Sequence, residues 1–302
     1  MIDFISKRIA AKVSLYVNLV LLVVLAIGSA YLIMKQSAAL EAQLLERGKT
    51  ESIVGARMTG TLIEEAVDNG VFTVTDAFDT AYESIPDFNP PKFHTKYDFY
   101  LDKALLGIED EFLKDESVVF AVAVDINGYL PTHNTRFNAP PTGNRERDLT
   151  LNRSKRIFAD PVGIAAAKNT APGFLQVYKR DTGEIMWDIS SPIFVKGKHW
   201  GGFRIGFSLE RITAAKTHMA VTIITIMAAI LVASFFLVFF AVNRSLQPIK
   251  TLTAISSRLA DGDLNQKIEV KTKDEIGRLA DVLERLRFSL KAAMERLARK
   301  AS

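Results

Sequence analysis

Two stretches of unbroken apolar character organise the chain. Residues 13–34 and 219–242 contain no charged side chain, and at about 1.5 Å per residue each can cross about 30 Å of hydrocarbon. The pattern predicts two membrane helices. Over 35–83, Leu40, Leu44, Leu45, Val54, Met58, Leu62 and Ile63 make an imperfect helical stripe, read as the first membrane helix continuing outward. Gly48, Gly55, Gly60 and Gly70 interrupt it; each costs a helix up to about 1 kcal/mol against alanine, which argues against a single unbroken rod. Residues 86–91, with three prolines, predict a loop, and Leu101, Leu105, Ile108 and Phe112 predict a helix over 97–114. Residues 118–124 are wholly apolar, a buried strand, and Asp125-Ile126-Asn127-Gly128 is turn chemistry that predicts a hairpin returning through 129–133. Residues 137–148 read as loop and 149–160 as a basic segment. Three strands follow at 173–179, 184–195 and 199–208, with turns at 180–183 and 196–198. One antiparallel sheet behind a long helix gives an α+β domain.

After the second span come two amphipathic helices. Pro248, Ile249, Leu252, Ile255 and Leu259 line one face of the first, which ends at Asp261-Gly262. In the second, Ile276, Leu279, Leu283, Leu286, Leu290, Ala293 and Leu297 alternate steps of three and four, a coiled-coil seam that needs a partner to cover it. Pro248, Gly262 with Leu264, Ile268 and Val270 in an extended connector, and Asp274-Glu275-Ile276-Gly277 opening the second helix resemble a HAMP domain, here over 243–297. The resemblance implies a homodimer whose parallel four-helix bundle relays a conformational change from a membrane helix to a cytoplasmic output. Pro248, Gly262, Leu264, Ile268, Glu275, Ile276 and Leu279 are the relay positions it marks. An ordinary coiled-coil tail is the plainer alternative.

The formal charge of +4 divides unevenly, as +2 over 1–12, −3 over 35–218 and +5 over 243–302. Lys7, Arg8 and Lys12 before the first span, with Arg244 and Lys250 after the second, place both termini of a two-pass membrane protein in the cytoplasm and 35–218 outside. The basic flanks are expected to meet anionic membrane lipid, not nucleic acid. Gly28-Ser29-Ala30 offers small residues to a signal peptidase, but the apolar run continues through Met34, which favours an uncleaved anchor. The chain has no cysteine, which excludes disulfides, thiolate metal sites and covalent c-type haem.

The external part resembles the extracytoplasmic PAS-like (Cache-like) sensor domains of bacterial methyl-accepting chemotaxis proteins. The residues that carry this are Asp125-Ile126-Asn127-Gly128-Tyr129-Leu130-Pro131-Thr132-His133-Asn134, Asn152-Arg153-Ser154-Lys155-Arg156-Ile157-Phe158, Tyr178-Lys179-Arg180-Asp181-Thr182-Gly183-Glu184 and Gly197-Lys198-His199-Trp200-Gly201. The resemblance implies a small ligand held between the sheet and an overlying segment. Candidate ligand-binding residues are Tyr129, Thr132 and His133 on the first hairpin, Arg153, Lys155 and Arg156 on the covering segment, and Tyr178, Asp188 and Arg204 on the later strands. A basic cover suits an anion such as a carboxylate, since arginine can bind both oxygens at once. A solvated face or an ion-pair stitch is the alternative for the basic run, and structural hydrogen bonding for His133. The four histidines show no metal-ligand spacing, and no P-loop, GxSxG or His-Glu-x-x-His pattern occurs. Neither enzymatic activity nor a cofactor is expected, though His133 and His199 leave non-covalent haem or metal open.

Five residues follow Leu297, where resembling receptors continue into a methyl-accepting hairpin, a kinase or a cyclase. The chain is therefore expected to be a dimeric transmembrane receptor for a small extracytoplasmic ligand. It would act through a separate cytoplasmic signalling protein, or be a fragment of a longer chemoreceptor, in either case without a catalytic domain. A membrane scaffold whose external domain contacts a protein is the alternative from another class.

Overall fold

The computed structural model describes residues 8–180, 183–270 and 272–301, so that Lys7 and two residues of the 180–183 turn, Asp181 and Thr182, lie outside it. The chain divides into two units, residues 33–221 and the stretches before and after them. A single helix, α1 (Ile9–Asp68), runs through Gly48, Gly55 and Gly60 and stops just before Gly70, which has φ +70. The glycines serve packing. A Cβ on Gly48 would lie 2.5 Å from Ile189 Cδ1, one on Gly55 2.2 Å from Phe203 Cε1, and one on Gly60 2.6 Å from the Phe194 carbonyl oxygen. Their missing side chains let the helix backbone rest directly on the sheet, and the burial this allows offsets their poor helix propensity. Between them, Ser52 Oγ and Ser191 Oγ lie 2.8 Å apart in the same buried seam.

Next come α2 (Val74–Ala77) and a hairpin of β1 (Glu83–Ile85) and β2 (Lys92–His94), which flanks the predicted proline loop. The helix α3 (Asp98–Phe112) leads into β3 (Val118–Asp125). The sheet has the order β3-β8-β7-β6 and is antiparallel throughout, with β6 (Phe174–Lys179), β7 (Ile185–Val195) and β8 (Lys198–Ser208) falling where alternation places them. One face packs Ala121, Ile189, Phe203, Ile205 and Phe207 with Ile63, Leu101 and Leu105 of the helices. The opposite face carries Phe120, Val122, Val124 and Met186. The architecture is α+β.

The expected β3 hairpin does not form. Instead β4 (Tyr129–Leu130) pairs with β5 (Arg156–Ile157). Asp125 explains the departure: its Oδ1 accepts the N–H groups of Asn127 (2.9 Å) and Tyr129 (2.8 Å), while its Oδ2 accepts Tyr82 (2.6 Å) and Tyr97 (3.0 Å) hydroxyls. This Asx-type turn leads the chain across the edge of β3. The exposed edge amides are covered by side chains, Ala121 N–H donating to Asn134 Oδ1 (2.8 Å) and Ala123 N–H to Glu109 Oε1 (3.0 Å). Burial pushes the Glu109 carboxyl well above the usual carboxylate range. A raised folded pKa contributes stability that is complete below the unfolded value and lost as pH rises through the folded one. A 3-10 turn (Thr135–Phe137) precedes the stretch read as loop, α4 (Arg145–Leu151) begins within it, and α5 (Pro161–Lys168) lies beyond the basic segment, where the pattern predicted no element. Asn144 and Asp160 cap the two helices, which are too short to show a period.

Two helices are long and apolar enough to cross a membrane, α1 and the one beginning with α6 (Leu209–Ser245), and each runs from one unit into the other. Beyond α6, α7 (Gln247–Ala260) has Pro248 in its first turn. It ends in a Schellman motif, with Gly262 N–H donating to the Leu259 carbonyl (3.2 Å), Asp263 N–H to that of Arg258 (3.0 Å), and Gly262 at φ +94. Leu252, Ile255, Ile268 and Ala280 form a small core against α8 (Glu275–Ala301), with Ile276 and Leu283 at its margin. Asp274 receives the Ile276 and Gly277 N–H groups at the start of α8. The connector is pinned by two residues the seam pattern did not single out. Glu284 accepts Ile268 N–H (3.0 Å), and Arg287 donates both to Glu284 and to the Leu264 carbonyl (2.5 Å). The Arg287 hydrogen bond, then the Ile268 amide, holds the Glu284 carboxyl down at about 2.

Candidate functional site

A cavity of about 410 Å³ opens on the sheet face opposite α1. Phe120, Val122 and Val124 of β3 form its floor because alternate β3 side chains point away from the helices. Its cover is Leu130, Arg153, Phe158 and the start of α5, and Tyr178, Arg180 and Arg204 close the sides. Close approach shapes the cover. A Cβ on Gly202 would lie 2.6 Å from the Ala166 carbonyl oxygen, so α5 sits directly on β8.

Three guanidinium groups line this cavity against two carboxylates that are already engaged. Asp160 accepts the Val162 (3.1 Å) and Gly163 (3.0 Å) amides as the cap of α5. Asp188, behind the lining, holds Arg204 in a fork of 3.0–3.2 Å contacts. Burial pushes the Asp188 carboxyl up against the pull of Arg204, which stays a cation. Aromatic faces carry part of the remaining positive charge: Arg180 lies 4.5 Å from the Phe137 centroid and 5.5 Å from that of Phe120, and Arg153 4.8 Å from that of Phe158. Arg180 also pairs with Glu184 at 3.6 Å.

His133 completes the wall, its ring 4.8 Å from Phe137. Burial, followed by the charges of Arg153, Arg180, Arg156 and Arg204, pushes its pKa well below the usual histidine value, so the ring is neutral at pH 7. Its buried Nδ1 has no hydrogen-bond partner. Unpartnered polar atoms in so buried a place are costly, and a ligand oxygen or hydroxyl could satisfy this one.

Of the residues singled out in the sequence, the fold brings His133, Arg153, Tyr178 and Arg204 together around the cavity, with Asp188 behind Arg204. Arg156 lies next to it, donating to the Leu149 carbonyl (3.1 Å), with its guanidinium 5.0 Å from the Phe158 ring centroid. Thr132 is buried away from the lining. Tyr129 and Lys155 belong elsewhere, because both donate to Asp98, which also takes His94 Nδ1 at 2.7 Å. Positive φ at Lys155 (62°) turns it out of the register that Arg153 and Arg156 share. Arg180, read as part of a turn, is the residue that sequence reasoning missed. Only its 5% exposure, unusual for a turn arginine, reveals it. Among the described residues no group of three or more His, Asp or Glu could hold a metal ion, and His199 bonds the Gly201 carbonyl (2.9 Å).

Comparison with known proteins places the HAMP domain family on residues 240–292. A probable methyl-accepting chemotaxis protein of Bacillus thuringiensis subsp. konkukian is 27% identical over 183 residues, 59% of this chain and 27% of the relative. The Bacillus subtilis methyl-accepting chemotaxis protein McpB is 24% identical over 174 residues, 56% of this chain and 26% of the relative. The chain spans about a quarter of the length of these relatives. Among solved structures, the sensory domain of the Campylobacter jejuni chemoreceptor Tlp3 with isoleucine bound aligns over 60% of this chain and 65% of its own at 11% identity and a TM-score of 0.28.

Proposed function

We propose that this chain, which carries a HAMP domain and is similar to methyl-accepting chemotaxis proteins, is a dimeric transmembrane receptor for a small organic anion. The observation that carries the reading is the pairing of three lining guanidiniums with a neutral His133, whose Nδ1 is unpartnered, over an apolar floor. A carboxylate would meet the arginines, a hydroxyl or second oxygen would meet His133, and a short apolar body would lie on Phe120 and Val122. The chain acts by binding and is no enzyme. Residues 35–218 lie outside a bacterial inner membrane, both termini lie in the cytoplasm, and the basic flanks rest against anionic lipid. Dimerisation is supported by the exposed α8 seam: Leu279, Leu286, Leu290 and Leu297 are 50%, 50%, 42% and 63% exposed within one chain. A second copy would cover them, as HAMP helices require. Ligand binding shifts α1 and α6, and the HAMP unit repacks toward a cytoplasmic signalling protein.

A thermal-shift series on the full chain in lipid nanodiscs tests this, with small mono-, di- and hydroxycarboxylates at constant ionic strength and sodium chloride as the blank. A ligand at a hundred times its Kd stabilises by about 2.7 kcal/mol. At least one acid is expected to raise the midpoint, and Arg153→Met and Arg180→Met are each expected to abolish that rise. Silence across the series would turn the reading toward a scaffold that contacts a protein.

A further inference from the structure

A second cavity, of about 470 Å³, lies between the β1–β2 hairpin and the segment around α4, lined in part by Phe88, Pro90, Lys92, Arg145, Asp148 and Asn152. Two of these side chains are buried to more than nine-tenths and stand out chemically. Lys92 is 7% exposed; its Nζ donates to the Ser154 carbonyl (2.8 Å) and lies 5.4 Å from the Phe88 ring centroid, and among the described residues it forms no ion pair. Asn152 is 5% exposed, and its Oδ1 has no partner. The charges that act on the amine are the cations Arg156 and Lys155 and, with smaller effect, the carboxylates Asp102 and Asp148. Asp148 is held by the Thr142 and Gly143 amides, and Lys155 is paired with Asp98 and Asp102. A buried ammonium so placed faces like charge, whereas an anion at the same atom would face opposite charge.

We propose that Lys92 is a carbamylation site, its Nζ combining reversibly with carbon dioxide in this cavity. The inference does not depend on the receptor reading. The lone pair of the uncharged amine attacks the carbon of CO2, one C–O π pair moves onto oxygen, and Nζ releases a proton to water. The product is an N-carboxylate whose one remaining N–H keeps the Ser154 carbonyl as acceptor, and whose oxygens enter the field of Arg145, Lys155 and Arg156. Supply of the uncharged amine is helped by burial and then by Arg156 and Lys155, which hold the Lys92 ammonium down at about 8.

The test uses the full chain in lipid nanodiscs, equilibrated with carbon-13 bicarbonate and CO2 at pH 7.5. O-ethylation with triethyloxonium then traps the adduct, and the digest is read by mass spectrometry. A labelled ethoxycarbonyl group is expected on Lys92, absent from argon-purged samples and from Lys92→Arg. Its yield is expected to fall roughly tenfold or more from pH 7.5 to pH 6, as the uncharged amine and its reaction with CO2 are lost. An unlabelled Lys92, or one labelled no more than the exposed Lys103, overturns the proposal whatever the variants do.

Discussion

Asp188→Ala is expected to destabilise the 33–221 domain by about 3–5 kcal/mol, the cost of leaving a buried charge without its partner. Asp188 is fully buried and Arg204 nearly so, and three contacts of 3.0–3.2 Å join them inside the sheet. A domain of this size has about 5–15 kcal/mol in total, so the loss should be visible as a large drop in the urea midpoint. Trp187 and Trp200 are the chain's two tryptophans and both lie in the sheet, so their fluorescence reports this domain alone. Removing both partners as Asp188→Leu with Arg204→Met should recover most of the loss while abolishing anion binding. A single variant within about 1 kcal/mol of the parent would show that Arg204 is hydrated and the pair not a buried one.

Gly55→Leu carries the second large effect. A Cβ there would stand 2.2 Å from Phe203 Cε1 and 2.4 Å from its Cδ1, and that ring is backed by Phe112 with centroids 5.3 Å apart. Overpacking of this kind costs about 1–3 kcal/mol or more, well beyond the up to about 1 kcal/mol that replacing glycine returns in helix propensity. Gly28→Leu in the same helix has nothing within 4 Å of its Cβ and serves as the control. The same fluorescence titration should separate them, with Gly55→Leu lowered and Gly28→Leu unchanged. Equal behaviour would mean that α1 does not rest on the sheet as described.

The contrast between these glycines marks where sequence reading stopped. Composition and period placed the two apolar helices, the wholly apolar β3 and the three later strands, because each signal is local. The glycines of α1 looked like breaks, since what they serve, close contact with Phe203 and the Phe194 carbonyl, is tertiary. The turn at Asp125-Gly128 was legible, but its direction was not. That direction depends on Tyr82 and Tyr97, far away in sequence, reaching the same carboxylate. In the cavity, the basic run gave Arg153, yet Lys155 two residues on is drawn to Asp98 by a left-handed backbone. Arg180 was hidden because a turn position normally predicts solvent. In the HAMP unit the seam was visible as a period, while the Glu284–Arg287 clamp on the connector was not, since neither residue is apolar.

The chain lacks cysteine, which makes disulfide mapping of the α8 seam direct. Single cysteines at Leu279, Leu286 and Leu290, with Asp281 and Arg285 as off-seam controls, can be oxidised in native membranes with and without an acid selected by the thermal-shift series. Seam positions are expected to cross-link between two chains far faster than the controls, and the acid is expected to change the relative rates along α8. Absence of seam cross-links, or rates identical with the acid bound and unbound, would contradict a dimeric receptor that signals by repacking its HAMP helices.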